Sequence, residues 1–168
     1  MKVREISTEQ LKIFIENTNG WLIDARPTEA YNGWSLQNEI RGGHIKSAKN
    51  LPLKWAKYMD WIEIIRSKGI LPNSEIIVYS YTIEEAESLT ATFQKAGYSN
   101  ISIYSRFLEE WVNNPELPMD SLARFSNLVY PEWIQSLLNG EKPAHYKNNR
   151  FVICHAHYRN RDAYLSGH

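Results

Sequence analysis

Apolar positions along the chain fall into two periods. Ile76-Ile77-Val78-Tyr79 is a short unbroken apolar run, β-branched and aromatic, and reads as a buried strand. Directly after it, Ile83, Ala86, Leu89, Phe93 and Ala96 recur at steps of three and four, the stripe of a helix that Gly97 stops. A tight turn at Ser80–Thr82 joins the two. The same alternation runs through the chain. Ser7 and Gln10 form a capping box ahead of a stripe at Leu11, Phe14 and Ile15, ended by Asn19-Gly20. Trp21–Ala25 is a short strand broken by Arg26-Pro27, and Thr28–Tyr31 forms a helical turn. A polar loop comes next, and Ile45–Leu51 returns the chain with a brief strand near Ala48–Leu51. Leu53–Lys68 is the next helix, closed by Gly69. Ile101–Tyr104 is another strand, and Phe107–Val112 a short helix ended by Asn113-Asn114-Pro115.

Strands alternating with helices imply an α/β fold, a parallel sheet with helices on both faces, over residues 1–115. Residues 116–126, with Pro115 just before them and Pro118 within, show little periodicity and read as a linker. Beyond it, Tyr130–Leu138 is a helix closed by Asn139-Gly140, and Phe151–Cys154 a strand. Helix, turn, strand and a final Gly-His repeat the order of residues 7–44. Residues 127–168 therefore read as the opening of a second, truncated unit.

Composition narrows the function. With 168 residues, 43% of them hydrophobic, the chain has enough apolar material for a core. Its formal net charge of zero gives no electrostatic case for nucleic acid or an anionic membrane. No apolar run reaches membrane-spanning length and the first residues lack a signal-peptide core, so a cytoplasmic location is the expectation, periplasmic if a signal has been removed. The one cysteine, Cys154, forms no internal disulfide.

The turn at Ser80 is where an α/β protein places a ligand or nucleophile. A hydrolase elbow needs glycines two residues either side of the serine; here stand Val78 and Thr82. The turn has no glycine to cradle phosphate, and Glu84, Glu85 and Glu87 crowd the helix start. Ser80 reads as a capping or packing residue. Asp24 and Arg26 read as a structural pair bracing strand ends, and His44 as a backbone hydrogen-bonding residue.

Several stretches resemble the rhodanese family of sulfurtransferases. Trp21–Arg26 resembles its strand-plus-Asp-x-Arg opening. Gly43-His44-Ile45, with Ser47-Ala48 and Asn50-Leu51-Pro52, resembles its Gly-His-Ile-Pro-Gly-Ala segment, with Lys46 and Ser47 departing from Pro-Gly. Glu110-Trp111 matches its closing Glu-Trp. Residues 151–168 are similar to a second such opening, and the helix over residues 128–140 to the inter-domain segment of a three-unit thiosulfate sulfurtransferase. The resemblance implies a tandem protein whose early units are non-catalytic.

The family carries sulfur as a persulfide on a cysteine at the strand–helix turn, with a loop Gly and Arg holding the anionic donor. No cofactor or metal is implied. The cysteine's position falls on Ser80, the loop Gly on Ile83 and the loop Arg on Glu85, so this unit is expected to be silent. The resemblance implies as partners the later rhodanese units and a sulfur donor or acceptor protein.

Two other readings centre on Cys154. Cys154 to Arg159 has the Cys-x4-Arg spacing of a rhodanese loop, which would make Cys154 a carrier thiolate held by Arg159. Cys154, His155 and His157 could also ligate a metal, although adjacent strand residues face opposite ways.

Overall fold

The structure is a computed structural model that describes residues 3–17, 20–154, 156, 162 and 165. It divides into two compact units, Met1–Pro131 and Glu132–His168.

In the first unit, β1 (Arg4–Glu5) leads to α1 (Thr8–Asn17), β2 (Trp21–Asp24) and α2 (Thr28–Asn32). The capping box forms: the Ser7 N–H donates to Gln10 Oε1 at 2.9 Å and the Gln10 N–H to Ser7 Oγ at 3.3 Å. Then come β3 (His44–Ile45), β4 (Lys49–Asn50), α3 (Trp61–Ser67), β5 (Ile76–Tyr79), α4 (Ile83–Lys95), β6 (Ile101–Tyr104) and β7 (Met119–Asp120). Five strands form one parallel sheet in the order β1-β6-β5-β2-β4. The expected α/β architecture is present, with one strand more at the edge than the apolar pattern revealed.

Strand alternation decides what each face buries. Ile76, Val78, Ile101 and Ile103 meet Ile65 of α3 and Ala86, Leu89 and Phe93 of α4. Ile77, Tyr79 and Tyr104 face the other way, onto Leu11 of α1, Phe107 and Trp111. Both layers are closed to solvent, which is why β5 is apolar at every position.

The structure departs from the sequence reading in four places. The helix expected over Leu53–Lys68 is broken into a 3₁₀ turn at Trp55–Lys57 and α3. Tyr58 between them is extended, and Met59 is 98% exposed, so no buried face holds a continuous helix there. The helix at residues 107–112 is a wide π turn, Phe107–Trp111, closed by Trp111 N–H to Arg106 O at 3.3 Å and Val112 N–H to Phe107 O at 3.0 Å. Its longer repeat puts Phe107, Trp111 and Val112 together in the core.

Residues 116–126, expected as a linker, lie inside the first unit. β7 pairs antiparallel with β3, His44 opposite Asp120 and Ile45 opposite Met119. The Leu122 N–H donates to Asn32 O at 2.8 Å, and Phe125 packs edge-on to Trp34. The segment lacks periodicity because it is held by backbone pairing and isolated anchors. Arg41 anchors the start of the segment at Leu117 together with the chain just before it. Its guanidinium donates to the carbonyls of Val112, Leu117, Trp111 and Asn114.

In the second unit, α5 (Pro131–Leu138) buries Leu137, and the Trp133 indole N–H donates to Ala144 O at 2.8 Å. The strand expected at residues 151–154 does not form; those residues are all exposed, Val152 at 85%. A strand needs a hydrogen-bonded neighbour, and the described residues of this unit supply none. No helix among the described residues is long and apolar enough to cross a membrane.

Arg41→Lys replaces a planar fork with a point charge that cannot serve four carbonyls. Urea unfolding of this variant is expected to show a loss of about 1–3 kcal/mol, the range for charged hydrogen bonds, with the slope unchanged.

Candidate functional site

The carboxyl ends of β2 and β5 lie side by side, Asp24 in register with Tyr79. Asp24 is fully buried and cannot stay charged there without donors. Four groups supply them. The Arg26 backbone N–H and Nε each donate to Asp24 Oδ1 at 3.0 Å, and Arg26 Nη2 donates to Oδ2 at 2.6 Å. The Tyr79 hydroxyl donates to the same Oδ2 at 2.7 Å and accepts the Ile45 N–H at 3.1 Å. Arg26 is itself fully buried; its guanidinium carbon lies 4.1 Å from the centre of the Phe107 ring, and Nη2 also donates to Gly43 O at 2.7 Å. Burial is the largest single influence and would lower the Arg26 pKa, but the Asp24 charge, the Tyr79 and Tyr81 phenols and the hydrogen bonding to Asp24 together outweigh it, and the net shift is upward.

Gly43 holds its carbonyl on Arg26 with φ at +105°, and a Cβ there would lie 2.3 Å from Asp120 O, so only glycine fits. His44 stacks on Tyr31 at 3.7 Å, and its Nδ1 lies 2.7 Å from the Tyr31 carbonyl, to which it donates. Trp111 is buried and its indole N–H donates to Pro118 O at 3.2 Å. Asp24, Arg26 and Gly43 are thus joined directly, with His44 beside them; all serve to lock strand ends to the returning loop.

Ser80 stands one residue beyond β5 and is 2% exposed. Its hydroxyl donates to Glu85 Oε2 at 2.6 Å. The cap of α4 is Thr82, whose hydroxyl oxygen accepts the Glu85 N–H at 3.3 Å. Ile83 opens the helix and is partly exposed. The turn therefore presents an alcohol bound to a carboxylate, and the carboxylate repels anions. Cys154 lies in the second unit as a free, exposed thiol. Arg159, His155 and His157 lie outside the described residues. Among the described residues, no three His, Cys, Asp or Glu side chains converge to hold a metal.

Three participants escaped the sequence reading: Tyr79, Tyr81 and Glu39. Tyr79 looked like a strand apolar. Glu39 sits in an aperiodic polar loop, yet it is buried and accepts a short hydrogen bond from Tyr81 Oη. No local signal joins residues so far apart in the chain.

Burial, then the Asp24 charge, raises the Tyr79 pKa; burial, then the bond to Glu39, raises that of Tyr81; burial pushes Tyr104 up to about 12. The unfolded chain releases these phenolic protons near pH ~10, and the folded chain holds them longer. Their contribution to stability is therefore complete below pH ~10 and falls as pH rises beyond it. Alkaline denaturation tracked by tyrosinate absorbance should show these phenols ionising only with unfolding. Tyr79→Phe, which leaves the Ile45 N–H unserved, should lose about 1–3 kcal/mol in urea unfolding.

The rhodanese-like domain family matches residues 7–114. Thiosulfate sulfurtransferase YnjE of Escherichia coli K12 is 30% identical over 131 residues, covering 76% of this chain and 29% of the relative. A thiosulfate sulfurtransferase of Azotobacter vinelandii is 31% identical over 108 residues, 58% of this chain and 38% of the relative. Among solved structures, EanB in complex with hercynine superposes with a TM-score of 0.93 at 46% identity, over 99% of this chain and 39% of that one. Another EanB structure, a cysteine persulfide in a tetrahedral intermediate state with ergothioneine, superposes at 0.91. The chain spans less than two-fifths of the length of each of these relatives. With that domain match across most of the first compact unit, and sulfurtransferases among its relatives, the chain belongs to the rhodanese family.

Proposed function

We propose that these residues are a catalytically silent rhodanese-like module at the head of a longer sulfurtransferase, whose carrier cysteine lies outside this segment. One observation carries the reading: at the turn where the family places its thiol, Ser80 is buried and bound to Glu85 at 2.6 Å. An alcohol forms no persulfide, and Glu85, at the position of the anion-holding arginine, repels a thiosulfate donor. The scaffold around the turn is complete, so the module's role is to position the later units of the chain. The second unit, with exposed Phe151, Val152 and Ile153 and no strand to pair with among its described residues, fits the opening of a further rhodanese-like unit. The likeness to EanB, solved in complex with hercynine, favours hercynine as a ligand of the longer protein.

A second reading makes Cys154 the carrier. Its exposure and its spacing to Arg159 favour it. Against it, the loop from Cys154 to Arg159 has no glycine.

Thiosulfate:cyanide sulfurtransfer by the chain of 168 residues should stand at background. Ser80→Cys alone should restore little, because Glu85 would raise the pKa of the new thiol. Ser80→Cys with Ile83→Gly and Glu85→Arg is the smallest set expected to gain a persulfide, read as the mass of one added sulfur atom. Robust turnover by the wild type, abolished by Cys154→Ser, would move the active site to the second unit.

A further inference from the structure

The buried guanidinium of Arg26 has one nitrogen left over. Nε and Nη2 are taken by Asp24 and Gly43. Nη1 makes no hydrogen bond among the described residues, although the side chain has no solvent exposure. A fully buried cationic N–H without an acceptor is costly, so its surroundings matter.

Facing it is the carboxylate of Glu39, with Oε1 at 3.8 Å, inside ion-pair range and outside hydrogen-bond range. The same Oε1 accepts a short hydrogen bond from Tyr81 Oη, and Oε2 accepts the Gln37 N–H at 2.7 Å. The Tyr81 ring also lies 5.1 Å from the Arg26 guanidinium carbon. Glu39 is buried although it belongs to a polar loop. A guanidinium nitrogen, a phenol hydroxyl and a backbone N–H thus surround one carboxylate, which is the donor set of an oxyanion pocket.

We propose that Arg26 Nη1, Tyr81 Oη and the Gln37 N–H form a buried site for a small oxyanion, and that Glu39 occupies it from within. External carboxylate- or sulfate-type anions then compete with a tethered one, whose effective concentration excludes them. Removing the Glu39 side chain leaves the cation and the donors in place, and a free oxyanion takes the vacancy. The pocket has this property whether or not the longer protein transfers sulfur.

The test compares thermal unfolding of wild type, Glu39→Ala and Glu39→Gln in sodium acetate, sodium thiosulfate and sodium chloride at equal ionic strength. In chloride, Glu39→Ala should lose about a hundredfold in its folded-to-unfolded ratio, because Arg26 is left without its second counter-charge. Acetate, which restores the excised carboxylate, should recover about tenfold or more of that loss by mass action, and thiosulfate should act similarly. Wild type should show only the general stabilisation that excluded oxyanion salts give over chloride, well below the gain of Glu39→Ala. Glu39→Gln, whose amide still fills the pocket, should lose stability and gain no more than wild type from either oxyanion. If Glu39→Ala is unfolded in chloride, a cooperative transition regained in acetate supports the site, and failure to fold in any of the salts overturns it. Equal responses of wild type and Glu39→Ala to acetate, or a Glu39→Gln as stable as wild type, would also overturn it.

Discussion

The buried ion pair of Asp24 and Arg26 sets the geometry of the whole sheet end. Taking two charges out of water costs several kcal/mol per ion, and attraction recovers it only where the geometry is good and further hydrogen bonds support the pair. Here the requirement reaches across the fold. Asp24 draws in Tyr79 from β5, Tyr79 takes the Ile45 N–H of β3, and Arg26 holds the Gly43 carbonyl. Asn50 of β4 donates to the carbonyls of Asp24 and Arg26 at 3.2 and 3.1 Å. The charge pair therefore ties together β2, β5 and the loop entering β3, while Asn50 fastens β4 to the same strand end through its backbone.

That rigidity makes the scaffold independent of the residue types at the Ser80 turn. The pair sits beneath the turn, and none of its hydrogen bonds depends on Ser80. Ser80 answers instead to Glu85, on the first turn of α4. Exchanging the residue types of the turn leaves the sheet's internal charge balance untouched, so fold and chemistry separate at this boundary.

The central elements were legible because burial on one or two faces writes itself into periodicity. The apolar run at Ile76 and the stripe from Ile83 to Ala96 became β5 and α4 within a residue. The capping box was legible because its partners are three residues apart. Residues 116–131 were opaque for the opposite reason: Arg41 and Trp34 fasten them from far up the chain, and neither anchor leaves a periodic mark. The break between the 3₁₀ turn and α3 was hidden because Trp55, Tyr58, Ile62 and Ile65 keep a helical spacing of three and four across it. The residues facing Arg26 were the least visible, since Glu39 and Tyr81 meet only in space.

The order of strands in the sheet also governs when the fold can be finished. β1, the first strand of this unit, lies at the sheet edge beside β6, and Arg4 pairs with Ser102. β2 can take β4 on one side early, Asp24 opposite Asn50, but must wait for β5 on the other, Trp21 opposite Ile76. Such distant pairings require large loops to close before any contact rewards them, and they slow folding. On a ribosome, β1 would stay unpaired until about a hundred residues had emerged, and Arg41 would find its last carbonyl, at Leu117, later still. The first unit is therefore a structure completed from its end, its earliest residues being among the last to find their places.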